Sequence, residues 1–118
     1  MKIKTSRKAG FTLVEIMIVV AIIGLLAAIA IPNFVRARTS AQTNACINNL
    51  RQIDSAKEQW AIENNQVDGA DATTAVNGLT YLDYIKGGAT PVCPASGTYT
   101  VGNIGADPDC DEAGHDLP

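Results

Sequence analysis

The chain has 118 residues, of which 47% are hydrophobic and 5% aromatic, and its formal net charge is -3. This length suits one small domain with a modest core. Four of the nine basic residues lie in residues 1–10, so residues 11–118 hold five basic against twelve acidic side chains. An acidic body of this kind does not favour nucleic acid as a direct partner, because phosphate binding needs clustered cations.

The chain opens with a basic leader, residues 1–10, and continues with an apolar segment, residues 11–32, whose only charged residue is Glu15. As a helix these 22 residues span about 33 Å, enough for a bilayer core. The segment is longer than the apolar part of a secretory signal peptide. We therefore expect a retained transmembrane helix with its basic N-terminus in the cytoplasm.

Glu15 is unusual because a charge in the bilayer core costs about 3 kcal/mol. Its carboxylate could reach the headgroups at the cytoplasmic interface, which lowers that cost. Alternatively it meets a cation in an assembly, and an α-amine freed close by would be protonated near neutral pH. The charge placement alone leaves both interpretations open.

The sequence around Glu15 reads Lys8-Ala9-Gly10-Phe11-Thr12-Leu13-Val14-Glu15. This box, followed by about twenty apolar residues, resembles the leader and cut site of type IV prepilins and type II secretion pseudopilins. The resemblance is specific over residues 7–35 and weaker to about residue 65.

This resemblance implies that a prepilin peptidase cuts between Gly10 and Phe11 and N-methylates Phe11. It also implies that Glu15 pairs with the Phe11 amine of a neighbouring subunit, since two charges become tolerable in a dry bundle once they are paired. The implied partners are copies of this chain, related minor pilins, the peptidase, and an inner-membrane assembly platform with its ATPase. The subunit would lie in the bacterial inner membrane, with its head outside the cytoplasm, before it enters a filament.

Gly24 and Pro32 lie inside the predicted helix. Proline removes a helical hydrogen bond, and glycine costs about 1 kcal/mol relative to alanine. Transmembrane helices often tolerate both residues. The other interpretation is a helix that kinks or partly melts at these positions when subunits leave the membrane and pack.

Residues 33–65 continue the helix as an amphipathic segment. Apolar residues recur there at helical spacing and form one stripe, which another part of the chain must cover. The members of the stripe are Cys46, Leu50, Ile53, Ala56 and Trp60. Residues 66–118 are the only candidate cover, so they are expected to form a small head. We predict a helix stop at Asn64-Asn65 and a loop after it.

Within the head, Thr80 is expected to cap a short helix that includes Asp83 and ends at Lys86-Gly87-Gly88. Residues 97–104 alternate in polarity and predict a strand. A second strand over residues 90–95 would be confined to a sheet edge by its prolines.

The three cysteines, Cys46, Cys93 and Cys110, cannot all pair within one chain. We expect a Cys93–Cys110 disulfide, because closing a loop of that size contributes about 3 kcal/mol. Cys46 would then be a buried free thiol. The rival is Cys46 bonded to one of the others. A zinc site is not expected, because Cys93, Cys110 and His115 lack a fourth ligand at the usual spacing.

The last twelve residues are acidic, and Asp107, Asp109 and Asp111 could offer oxygen ligands to calcium. Type II secretion major pseudopilins carry calcium in a C-terminal loop, so the resemblance supports the idea. The spacing matches no standard calcium loop, however, and a solvated acidic tail is the favoured interpretation. No cofactor is otherwise expected.

The sequence thus predicts an α+β, pilin-like fold with a long N-terminal helix and a small head containing a short hairpin or sheet. No catalytic motif is present, so an enzyme is not expected. The predicted function is that of a structural subunit of a type IV pilus or a type II secretion pseudopilus. The alternative is a single-pass membrane anchor with a small binding head that never polymerises.

Overall fold

The computed structural model describes residues 10–118, so residues 1–9 of the predicted basic leader lie outside the described residues. One long helix, α1, runs over Leu13–Glu63 and is followed by a 3₁₀ helix at Tyr81–Tyr84. Two short strands, β1 (Tyr99–Thr100) and β2 (Asp109–Cys110), complete the fold. They pair antiparallel, with Tyr99 opposite Cys110 and Thr100 opposite Asp109. The predicted α+β fold, with a long helix and a small head, is confirmed.

The chain divides into two compact units at Ala37, within helix α1. In the described part of the first unit, the large apolar side chains from Phe11 to Val35 are exposed. By length and composition, α1 could cross a membrane. It runs through Gly24 and includes Pro32 without interruption. The kinking or melting of the helix at these positions during assembly stays a prediction.

The second unit, Arg38–Pro118, has its core against the C-terminal half of α1. The predicted stripe is buried, with exposed fractions from 0% to 2%; its members are Cys46, Leu50, Ile53, Ala56 and Trp60. Around Trp60 pack Ala72, Tyr81 and Ile104 from the head. The Trp60 indole N–H donates to the carbonyl of Leu79 at 2.9 Å, so the one polar atom of this side chain is satisfied.

Helix α1 ends at Glu63, beside the predicted stop at Asn64-Asn65. Asn65 adopts a left-handed conformation with φ of 53°, which asparagine tolerates better than most residues. The amide of Gln66 then donates to the Ala61 carbonyl at 2.8 Å, which is typical of a helix C-terminus.

The short elements of the head differ in part from the predictions. Thr80 does cap the 3₁₀ helix, and its amide donates to the Asp83 carboxylate at 2.8 Å in a capping box. The strand predicted over residues 97–104 is shorter in the structure and comprises only the two residues of β1. The strand predicted over residues 90–95 is wrong, because β1 pairs with β2 instead. Prolines at 91 and 94 remove two amide donors there, and a turn joins Ser96 to Cys93.

Lys57 is the unexpected member of the core, with 1% of its side chain exposed. Its ammonium group donates to the carbonyls of Val101 and Ala106 at 2.7 and 2.6 Å. Burial lowers the pKa of Lys57, although Asp54 and Glu58 oppose that shift. The lysine therefore joins α1 to the loop between β1 and β2 through two backbone acceptors.

Replacing Lys57 by methionine is expected to lower the free energy of unfolding of the head by about 2 kcal/mol, because two carbonyls lose their donor. Urea unfolding of the full chain in detergent, followed by the fluorescence of its single tryptophan, measures the change. Lys86→Met removes an exposed lysine of the same head and should change stability by less than about 0.5 kcal/mol. A Lys57→Met head as stable as the native one would refute this role.

Candidate functional site: the N-terminal segment and a cysteine–histidine cluster

The predicted cut site lies directly before the start of α1. Gly10 and Phe11 are exposed and outside the helix, and no atom lies within 4 Å of a Cβ built on Gly10. A peptidase needs an accessible, non-helical backbone at the bond that it cuts. The described residues on both sides of the Gly10–Phe11 bond meet that requirement, while cleavage and methylation themselves stay predictions.

Glu15 forms a capping box with Thr12 at the beginning of α1. The Thr12 amide donates to Glu15 Oε2 at 2.9 Å, and the Glu15 amide donates to Thr12 Oγ1 at 3.2 Å. Two amides at the helix start, where no intrahelical acceptor exists, thereby gain partners. The sequence interpretation missed this local role, although the spacing Thr-x-x-Glu signals it. Pairing of Glu15 with a second subunit's amine stays a prediction.

Exposed apolar side chains lie before and after Glu15 on every face of the helix. The exposed fractions of Leu13, Ile23 and Phe34 are 77%, 60% and 69%. A helix that is apolar all round is stable in lipid or in the interior of an assembly, and not in water. The segment therefore requires an apolar environment that the described chain does not itself provide.

A second cluster of functional side chains lies in the head. The Sγ atoms of Cys46, Cys93 and Cys110 and a ring nitrogen of His115 lie within 4.8 Å of one another, and all four residues are buried. The Cys93–Cys46 and Cys110–Cys93 sulfur distances are 3.6 and 3.8 Å, and Cys93 Sγ lies 3.7 Å from His115 Nδ1.

The three cysteines are free thiols here, so the Cys93–Cys110 disulfide stays a prediction. No fourth ligand stands at the usual sequence spacing from Cys93, Cys110 and His115, but folding places Cys46 of α1 beside them. Sequence spacing could not reveal this, since Cys46 and Cys93 are 47 residues apart.

The surroundings give the three thiols different acidities. Burial of Cys93 disfavours its thiolate, but the Ala95 and Gly97 amides and the contact with the His115 ring outweigh it and lower the pKa of Cys93 to about 7. Burial raises the pKa of Cys110 to about 12, and burial also raises the pKa of Cys46. Of the three thiols, Cys93 gives up its proton most readily.

The carboxylates proposed for calcium are exposed. Asp109 accepts the amide of Cys110 at 2.8 Å, and Asp111 accepts the amide of Thr98 at 2.6 Å. Two of the three carboxylates therefore serve as local acceptors at β2, and calcium binding by Asp107, Asp109 and Asp111 stays a prediction.

The chain is similar in sequence to a protein-family model and to several known proteins. Residues 5–31 match the family model of the prokaryotic N-terminal methylation motif. The chain is 33% identical to the type IV wide pilus major component of Thermus thermophilus over 106 residues, covering 90% of this chain and 72% of the relative. It is 31% identical to the type II secretion system core protein G of Aeromonas hydrophila, covering 68% and 64%.

The type IV major pilin of Myxococcus xanthus is 45% identical over 60 residues, which are 51% of this chain. That match spans only 27% of the relative, so the likeness there is to a part of a longer protein. No solved structure gives a significant match to the chain.

Proposed function

Because this chain belongs to the family of type IV pilins and type II secretion pseudopilins, we propose that it is a structural subunit of a filament of this kind. The observation that carries the proposal is the exposed apolar part of α1, which begins two residues after Phe11 and holds one carboxylate, Glu15. In the filament, the same segments of other subunits would surround this one and supply its apolar environment.

Processing creates the assembling form of the subunit. A prepilin peptidase would cut the accessible bond between Gly10 and Phe11 and methylate the new amine. The cut removes four basic side chains from one end of a helix that is otherwise suited to a dry bundle. It also produces an ammonium group four residues from Glu15, the single acidic side chain of the segment.

Before assembly, the chain would be a single-pass protein of the inner membrane. The basic leader favours a cytoplasmic N-terminus, and the second unit, Arg38–Pro118, which includes the head, would lie on the opposite side. An assembly platform and its ATPase would then extract the subunit. Relatives of both kinds, pilus component and secretion core protein, support one assembly principle for a surface pilus and for a pseudopilus.

The mass of the chain isolated from its native membranes tests processing. We expect a mature chain that begins at Phe11 and carries one added methyl group. Co-production of the chain with an inactive peptidase is the matched control and should leave residues 1–10 in place. A chain that keeps residues 1–10 in native membranes would indicate a permanent anchor with a small binding head, and the filament proposal would fail.

A further inference from the structure

The distances within the cysteine–histidine cluster agree with those between the ligands of a tetrahedral metal site. Zinc binds sulfur at about 2.3 Å, so two sulfurs on one tetrahedral zinc ion lie about 3.8 Å apart. The measured sulfur separations, 3.6 and 3.8 Å, agree with this value. The distance of 3.7 Å from Cys93 Sγ to His115 Nδ1 is close to the separation of about 3.6 Å for a sulfur and a nitrogen ligand.

We propose that Cys46, Cys93, Cys110 and His115 bind one zinc ion, which ties the head to helix α1. Three thiolates and one imidazole form a ligand set typical of structural zinc sites, and soft sulfur ligands select zinc over calcium or magnesium. Three thiolates around a dication leave a net charge of -1, which is far easier to bury than three thiolates alone.

His115 is oriented for metal binding by a second contact. Its Nε2 lies 3.2 Å from Thr43 Oγ1, and that hydroxyl donates its own proton to the Thr39 carbonyl at 3.0 Å. Thr43 therefore accepts from an Nε2–H, which leaves the lone pair on Nδ1 directed towards the sulfurs. This arrangement, a ligand histidine whose other nitrogen donates to a neighbour, fixes tautomer and ring orientation in zinc sites.

Gly97 permits this close packing. A Cβ on Gly97 would lie 2.7 Å from Cys110 Sγ and 2.9 Å from Asp111 Oδ1, which is too close for either atom. The backbone therefore approaches the cluster where only glycine fits.

The fold explains what the metal contributes. The four ligands come from α1, the loop before β1, strand β2 and the C-terminal segment. The sheet in this region consists of only two residue pairs between β1 and β2. So short a hairpin has little stability of its own. One ion bound by all four parts would supply the cross-link that the sheet cannot supply. This inference concerns the head alone and does not depend on filament assembly.

The test uses the full chain, purified in detergent from its native envelope with thiols blocked at lysis. We expect one zinc per chain by elemental analysis and three protected cysteines that become alkylated only after chelation in denaturant. Replacement of zinc by cobalt should give the intense visible absorption of tetrahedral cobalt and a thiolate charge-transfer band. Removal of zinc should lower the melting temperature, followed by Trp60 fluorescence, by more than about 10 °C.

Matched variants separate metal binding from folding. His115→Cys keeps four ligands and should retain zinc, with a changed cobalt spectrum, whereas His115→Ala should bind at least about 100-fold more weakly. Thr43→Val loses only the orienting contact and should weaken binding about 10- to 100-fold. A metal-free native protein with a Cys93–Cys110 disulfide would overturn the proposal. So would native protein that holds iron in place of zinc, or a cobalt spectrum that His115 variants leave unchanged.

Discussion

Replacing Glu15 by glutamine should abolish filaments and leave cleavage between Gly10 and Phe11 intact. Glutamine has the same length and can still accept the Thr12 amide, so the start of α1 is preserved. What it lacks is the charge that would neutralise a neighbouring Phe11 ammonium in a dry helical bundle. Loss of one partner of a buried ion pair costs about 3–5 kcal/mol, which corresponds to at least about a 100-fold weaker association of each subunit.

Two further variants isolate the charge from the helix cap. Thr12→Ala removes the Thr12 hydroxyl that accepts the Glu15 amide but keeps the carboxylate, so filaments should persist. Glu15→Ala removes both cap and charge and should behave as glutamine does. Electron microscopy of sheared filaments, with the mass of the membrane-bound subunit, gives both readouts. Filaments of normal abundance in Glu15→Gln would contradict the pairing and favour an anchor that does not polymerise.

Replacing Trp60 by alanine should destabilise the head more than any other single change in its apolar core. The side chain is fully buried between α1 and the head, and its indole N–H is bonded to Leu79. Truncation of a buried tryptophan costs about 3–5 kcal/mol, a large part of the 5–15 kcal/mol that stabilises a typical domain.

Amide hydrogen exchange can follow this change without a tryptophan probe. The Ile104 amide donates to Ala70 at 2.8 Å beside the Trp60 cluster, and its exchange should accelerate about 100- to 1,000-fold. Ile62→Ala, an exposed position on the same helix, is the control and should leave exchange nearly unchanged. Equal protection in Trp60→Ala and native protein would show that the stripe does not hold the head.

The sequence predicted the features that depend on local pattern. The stripe from Cys46 to Trp60 follows from a 3.6-residue period, and each of its members is buried in the structure. Thr80 and Asp83 have the spacing of a capping box, and they form one. The composition of the apolar segment after Phe11 is sufficient to predict that it lies in lipid or against partner helices.

Features that depend on long-range contacts could not be predicted. Cys46 meets Cys93 and His115 only because the head folds back over α1, and no spacing rule covers such separations. Lysine is typical of a solvated helix face, yet Lys57 is buried and donates to two loop carbonyls. The prediction also missed β2 as the partner of β1, because a strand of two residues has almost no periodic pattern.

Helical reconstruction of native filaments that contain this chain would test whether the subunits assemble through the apolar part of α1. We predict subunits beginning at Phe11, with the apolar residues of α1 up to Val35 buried in the filament centre. Each Glu15 carboxylate should then lie within salt-bridge distance of the Phe11 amine of a neighbouring subunit. Filaments in which this segment faces solvent, or native cells in which the chain occurs only as a membrane monomer, would contradict this role of α1.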